Sequence, residues 1–283
     1  MSTHLEVLDI VAQMKAAERA FVLATVVRTV SVTAAKAGAK AIIAADGTIV
    51  AGWIGGGCAR GAVLKAAREA LADGEPRMVS VQPENLLAEL GVRAGESRDG
   101  IRFASNMCPS KGTMDIFVEP VLPHPSLVIL GASPVALSLA AQARTLGYHV
   151  TLAAPSADLT AQPDADAVIE GYQLGALNEA KRFVVVSTQG KGDEVALRAA
   201  IATKADYHAF VGSRRKMASL RAKLIAEGTD AAAIDCVKAP AGFDLGAITP
   251  EEIAMSILAE ITQERRRGQR AANQIASQIA SKE

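Results

Sequence analysis

The stretch Gly52-Trp53-Ile54-Gly55-Gly56-Gly57-Cys58-Ala59-Arg60 constrains this chain more than any other. The residues before it read as strands leading in, and those after it as a helix leading away, from Ala59 to about Asp73. Successive glycines remove every β-carbon, so the backbone is free to take positive φ and to approach a ligand closely. Cys58 falls in the first helical turn, near unpaired backbone N–H groups and the positive end of the helix dipole, which favour a thiolate. Glycine loop, helix N-terminus and a nucleophilic or metal-binding sulfur together describe a site for an anionic ligand. The same residues also suit a tight turn around a small buried cysteine. The loop alone does not choose between the two.

The residues ahead of the loop deliver the chain into it. Thr3 and Glu6 are spaced as a capping box, and Leu5, Leu8, Val11 and Met14 recur at helical spacing, which predicts a first helix to about Arg19. Phe21 to Arg28 is β-branched and apolar, a buried strand. A looser segment from Thr29 to Lys40 carries Ser31, Thr33, Lys36, Gly38 and Lys40. Ala41 to Ala44 and Thr48 to Val50 flank Asp46-Gly47, a pair whose turn geometry predicts a β-hairpin. The hairpin ends at the glycine loop, so Lys36 and Lys40 come within reach of it to neutralise an anion. Their plainer reading is as solvated loop lysines.

Beyond the helix, Arg77 to Val81 predicts a strand and Gln82 to Gly100 is polar and irregular. Phe103 leads into Asn106-Met107-Cys108-Pro109-Ser110-Lys111-Gly112, ahead of a strand from Thr113 to Glu119. Cys108 thus lies in a turn before a strand, with Lys111 close behind. Two thiols on loops can meet on one ligand, a convergence the sequence leaves open. A zinc site is not expected, because the four histidines are scattered and no Cys or His pair has ligand spacing.

Composition narrows the classes. The 283 residues suit two domains of ordinary size. Thirty basic and 30 acidic residues leave no net charge, and aromatics are only 4%, so neither electrostatics nor stacking favours nucleic acid. No apolar run approaches the ~18 residues of a membrane span. Glu6 and Asp9 interrupt the N-terminal apolar pattern, unlike a secretory signal. Cys58, Cys108 and Cys236 are odd in number and widely spaced, which suits reduced thiols. A soluble, cytoplasmic protein without membrane insertion is expected.

Pro120, Pro123 and Pro125 form a stiff connector that should not sit inside a sheet, so the domain boundary is placed there: residues 1–120, then 126–267. Leu127 to Leu130 is a short buried strand, followed by Gly131-Ala132-Ser133-Pro134-Val135-Ala136, a helix to Leu146 and Gly147, and a strand from Val150 to Ala153. That is the opening of a doubly wound parallel sheet. Further strands are expected at Phe183–Ser187, Tyr207–Val211 and Ile234–Val237, with helices near Asp193–Ala202 and Lys216–Glu227. The dinucleotide fingerprint has only its first glycine, Gly131, with Ser133 and Ala136 at the other positions. The acidic residue expected after the second strand is replaced by Ala153-Ala154-Pro155, which disfavours NAD(P).

Ser187-Thr188-Gln189-Gly190-Lys191-Gly192-Asp193 and Gly212-Ser213-Arg214-Arg215-Lys216 each follow a strand end, where such sheets place ligands. The second is equally a solvated basic helix start. Thr249-Pro250-Glu251-Glu252 caps a last amphipathic helix built on Ala254, Ile257, Leu258 and Ile261. From Gly268 a polar tail, residues 268–283, is expected to be loose or marginally helical.

These residues together resemble the XdhC/CoxI family of accessory proteins for molybdenum hydroxylases. The resemblance is carried by Ala37-Gly38-Ala39-Lys40 before the Asp46-Gly47 hairpin, Gly55-Gly56-Gly57-Cys58, Cys108 before the strand Asp115–Pro120, Val211–Lys216 and Ala247–Ala254. It runs over nearly the whole chain in one order, with the CoxF-like branch of carbon monoxide dehydrogenase clusters nearest. It implies an α/β protein, an N-terminal mixed domain of XdhC/CoxI type followed by a Rossmann-like doubly wound parallel sheet. It also implies a protein that binds molybdenum cofactor (molybdopterin), supports its sulfuration and passes it to an apo molybdenum hydroxylase of xanthine or carbon monoxide dehydrogenase type. The chain departs from the family pattern at Arg60, at Pro109-Ser110 and in the Rossmann fingerprint.

The expected cofactor site comprises Lys36, Lys40, Gly55, Gly56, Gly57, Cys58, Cys108, Lys111, Gly131 and Ser133, with Cys58 as molybdenum ligand or sulfur carrier. The leading expectation is a cofactor-binding chaperone rather than a turnover enzyme, working as a homodimer beside a cysteine desulfurase or other maturation proteins. The alternatives are a sulfur-transfer protein with a persulfide on Cys58, a nicotinamide oxidoreductase using the Rossmann domain, and a docking module without a ligand.

Overall fold

The computed structural model describes residues 4–109, 111–159, 162–175 and 180–280. The expected capping residue Thr3, and Ser110, lie outside them. The chain divides into two compact units, one of Met1–Pro123 with Gly268–Glu283 and one of His124–Arg267.

In the first unit, α1 (His4–Ala16) precedes β1 (Phe21–Val30), and β2 (Lys40–Ala44) and β3 (Ile49–Gly52) form the hairpin. Helix α2 (Gly57–Asp73) follows the glycine loop, then β4 (Arg77–Gln82) and α3 (Glu84–Glu89). Strands β5 (Ser97–Arg98), β6 (Ile101–Ser105) and β7 (Thr113–Val121) complete a seven-stranded sheet of order β3-β2-β1-β7-β4-β6-β5.

Helix α2 buries Ala59, Val63, Ala66, Ala67 and Ala70, a 3.6-residue stripe of mostly small side chains that lets it lie close to the sheet. Its end is set by Gly74, which turns into the left-handed region and donates its N–H to the Ala70 carbonyl. Val22, Ala24 and Val26 of β1, Val79 and Val81 of β4, and Met114, Ile116 and Val118 of β7 meet that stripe. Their alternation is the period of two expected of strands with one face against a helix. Phe21 and Ile42 point to the other face, under Val7 and Met14 of α1.

Two expectations for this unit need correction. Pro120 lies inside β7, opposite Val22. The pairing of β7 with β4 stops at Arg77 and Val118, so the proline stands where its strand has a neighbour on one side only. The polar stretch after Gln82 is also not wholly irregular. It holds α3, whose Leu87 packs with Val92 and Phe103.

The second unit is a six-stranded parallel sheet. It contains β8 (Ser126–Leu130), α4 (Pro134–Thr145), β9 (His149–Ala154), β10 (Ala167–Glu170), β11 (Arg182–Val186) and α5 (Asp193–Ala202). It continues with β12 (Tyr207–Phe210), α6 (Arg214–Ala226), α7 (Ala231–Asp235), β13 (Val237–Lys238) and, up to Arg267, α8 (Pro250–Ala280). The order β10-β9-β8-β11-β12-β13 is that of a Rossmann fold, with the reversal between β8 and β11. All five residues of β8 are buried, as a central parallel strand requires.

Ile234, expected in a strand, belongs to α7, because Asp230 accepts the Ala233 N–H and starts a helical turn. Residues 268–280 of the expected tail are the C-terminal part of α8, and 281–283 lie outside the described residues. After Pro250 that helix meets no further proline, and one glycine costs only about 1 kcal/mol. Among the described residues no helix is long and apolar enough to cross a membrane.

Candidate functional site

Strand direction gathers the candidate residues of the first unit at one end of its sheet. Val30 pairs with Thr113, Val81 with Met114 and Gln82 with Ser105, so β1, β4 and β6 finish where β7 begins. Strand β3 runs in the same sense as β1, and its last residue, Gly52, leaves toward that end. Three segments therefore emerge together: 31–39 after β1, the glycine loop after β3, and 106–112 before β7.

Packing joins them. Ile54 is fully buried and anchors the glycine loop in one cluster with Ala35, Ala59 and Met114, a burial of the order of 2 kcal/mol. Gly55 has a φ of 105°, and a β-carbon there would stand 3.6 Å from the Met114 Cε. Val32 bridges to Lys111, and Gly112 lies against the Val32 carbonyl with no room for a side chain. Ser31 and Lys111 both take positive φ, 65° and 48°, a backbone strain located at this junction.

The expected residues fall as follows. Gly56 is the N-cap of α2 and offers no side chain to accept its first N–H groups, and the first turn carries no acidic residue. Cys58 is the second residue of the helix, a free thiol, half-buried and packed against the core beside Ala59. Lys40 donates from Nζ to Thr25 Oγ1 at 3.0 Å, and its carbonyl receives the Trp53 N–H at 2.8 Å. Lys36 is exposed one residue beyond the buried Ala35. Cys108 is an exposed free thiol, and Lys111 is exposed. Asn106 closes their loop: its Oδ1 accepts the Cys108 N–H at 3.0 Å and its Nδ2 donates to the Gly112 carbonyl at 2.6 Å.

The segments 31–40, 53–61 and 106–112 contain Lys36, Lys40, Arg60 and Lys111 and no aspartate or glutamate. In a chain with as many acidic as basic residues, that local excess is a feature of this end of the sheet. Sequence reasoning set Arg60 aside as a departure and gave Trp53 and Asn106 no role. The signal for Trp53 was present, since it is the chain's one tryptophan and stands between glycines.

Gly131 and Ser133 belong to the second unit, at the reversal between β8 and β11. Gly131 packs on the Ser187 carbonyl, where a β-carbon would clash. The Ser133 hydroxyl accepts the Ala136 N–H at 3.1 Å and bonds the Ser187 hydroxyl at 2.7 Å, both groups buried. One of the first N–H groups of α4 is thereby engaged by its own cap. Ala153 and Ala154 are fully buried. The two loops singled out after β11 and β12 do meet: Lys216 Nζ lies 2.6 Å from Asp193 Oδ2, and Thr188 donates to the same carboxylate. Cys236 is exposed at the end of α7.

Comparison with known proteins gives matches in both units. Residues 14–82 match the XdhC and CoxI family, and residues 127–261 match the XdhC Rossmann domain. The chain is 30% identical over 233 residues to the uncharacterized protein YqeB of Escherichia coli, covering 80% of this chain and 40% of that protein. It is 28% identical over 163 residues to a probable xanthine dehydrogenase subunit of Bacillus subtilis, covering 55% of this chain and 47% of that protein. The chain thus spans less than half the length of these relatives. A solved structure described as a xanthine dehydrogenase from Bacillus halodurans aligns over 94% of this chain and 96% of its own, at 19% identity and a TM-score of 0.44.

Proposed function

Because the chain belongs to the XdhC and CoxI family, we propose that it holds molybdenum cofactor in its first unit and serves the maturation of a molybdenum hydroxylase. One observation carries this reading: Cys58, Cys108 and four cations stand on segments that leave one sheet end and contain no carboxylate. The relative described as a probable xanthine dehydrogenase subunit supports a client of xanthine dehydrogenase type, and a carbon monoxide dehydrogenase client rests on the resemblance alone.

The residues fit the group. Lys36, Lys40, Arg60 and Lys111 provide positive charge for a phosphate, and the first N–H groups of α2 have no capping side chain. Cys58 and Cys108 are free thiols, soft donors suited to molybdenum. When bound, the cofactor would supply a pterin ring system, a phosphate and a sulfur-ligated metal. The chain's part is to bind that anion and release it to an apo-hydroxylase, as a chaperone rather than as a turnover enzyme working on the cytoplasmic side.

A second reading gives Cys58 a sulfur-carrying role, favoured by its half-buried free thiol at a helix start. The Cys58 thiolate would attack the outer sulfur of a persulfide on a cysteine desulfurase. One S–S bond forms, one breaks, the donor cysteine leaves as thiolate, and no electrons are gained or lost overall. A homodimer is part of the proposal for either reading.

Reconstitution separates the readings. Protein purified without oxygen from molybdenum-replete cells should activate an apo molybdenum hydroxylase beyond what the same amount of free cofactor achieves. Sulfur mass on Cys58 without any pterin would instead favour the persulfide reading. Neither activation nor sulfur transfer would remove both.

A further inference from the structure

The cations of the glycine-loop end account for an anionic group, and nothing so far accounts for Trp53. It is the only tryptophan of the chain, and 45% of its surface is exposed. Half open beside the glycine loop, the indole has surface left for a ligand. Its backbone is nevertheless fixed. The Trp53 N–H donates to the Lys40 carbonyl at 2.8 Å, and Gly52 before it fits against that same carbonyl with no space for a β-carbon. Ile54 after it is fully buried. The indole is also placed over the helix start, since a β-carbon on Gly56 would lie 3.8 Å from its Cη2.

The geometry points to Trp53 as the stacking platform for the planar heterocycle of the ligand whose anionic group the surrounding lysines and arginine receive. This rests on the cofactor reading above and names the part of the ligand that the cations do not address. An aromatic plane recognises a heterocycle through its π face, and removing such a plane weakens binding by roughly 1–3 kcal/mol per ring, about 5- to 150-fold. The backbone that carries the indole is held by the Lys40 carbonyl and the buried Ile54, so the main chain need not be ordered when a ring settles on it. The glycines beside it leave the ring's approach unobstructed by β-carbons.

The test uses the full chain as wild type, Trp53→Phe and Trp53→Leu, with neopterin monophosphate as probe. Equilibrium dialysis gives affinity, the emission of bound pterin reports indole contact, because an indole in contact quenches a pterin by electron transfer, and sedimentation reports assembly. The expected result is a dark bound pterin in wild type, nearly full affinity with recovered emission in Trp53→Phe, and affinity reduced about 10-fold or more in Trp53→Leu. Equal affinity and equal emission in all variants would overturn the stacking assignment and leave the cofactor reading standing. If wild type does not bind the pterin, the cofactor reading fails. Flavin mononucleotide then decides the indole separately. Aromatic-dependent binding of the flavin supports stacking of another heterocycle, and flavin binding alike in all three, or in none, overturns it. A changed oligomeric state in Trp53→Leu with unchanged ligand affinity would assign the indole to a contact between copies and also overturn it.

Discussion

The main-chain N–H of Trp53 donates to the carbonyl of Lys40 across 2.8 Å, at the point where the β2–β3 hairpin gives way to the glycine loop. That bond fixes the two ends of the hairpin against each other. It also sets the starting position of the whole loop that delivers Cys58 to the first turn of α2. Gly52 is what allows the approach, since its φ is 82° and a β-carbon there would strike the Lys40 carbonyl. Replacement Gly52→Ala is therefore expected to lower stability by about 1–3 kcal/mol. Chemical denaturation checks this, and an unchanged midpoint would mean that the hairpin end is not tightly held.

The positive end of the site predicts salt dependence. Lys36, Arg60 and Lys111 are exposed, so each should add at most about 1 kcal/mol to anion binding, a factor of up to about five. Neutralising each to glutamine should weaken retention of neopterin monophosphate by that much, and raised ionic strength should weaken it further. Dialysis at two salt concentrations checks this, and salt-independent binding would contradict an electrostatic site.

Much of this was legible from residue patterns. The hairpin followed from Asp46-Gly47, the helix to about Asp73 was expected directly after the glycine loop, and the parallel sheet followed from its alternation of strands and helices. What the pattern hid was pairing. Pro120 reads as a breaker because a sequence does not display which side of a strand lacks a neighbour. Ile234 looked like strand because its helix is short and is set by the Asp230 cap rather than by periodicity. The convergence of segments 31–39, 53–56 and 106–112 depends on the register of β1, β7 and β4, which no local spacing encodes. Gly131 and Ser133 were expected at the site from the remnant of the Rossmann fingerprint, and they stand in the second unit, where Ser133 bonds the Ser187 hydroxyl and a β-carbon on Gly131 would strike the Ser187 carbonyl.

Those contacts give a prediction that separates the units. Ser133→Ala removes the α4 cap, worth about 1 kcal/mol, and leaves the buried Ser187 hydroxyl without that partner, for a loss of roughly 2 kcal/mol. Stability measured by denaturation should fall, while pterin bound per folded molecule should stay unchanged. Loss of pterin at full folding would move the cofactor toward the second unit.

The three tyrosines predict alkaline behaviour. Burial pushes Tyr148 above the ordinary phenol value of 10.0, the nearby Arg265 charge only partly opposing it. Burial does the same to Tyr172, helped by Asp158 and Asp193, and most strongly to Tyr207, helped by Glu264. A group whose pKa is higher folded than unfolded adds stability that is whole below the unfolded value and is lost as pH rises toward the folded one. Stability should therefore decline from about pH 10 upward. Phenolate absorbance should emerge together with unfolding, and phenolate appearing near pH 10 in the folded protein would contradict the burial.

The central claim is most directly tested by molybdenum and pterin analysis of protein purified without oxygen from molybdenum-replete cells, wild type beside Cys58→Ser. The account predicts close to one molybdenum and one pterin per chain in wild type, recognised by oxidised-pterin fluorescence, and strong depletion of both in the variant although it remains folded. Absence of pterin from wild type, with cofactor confirmed in the same cells, would contradict it. Equal content in both proteins would place the cofactor away from Cys58.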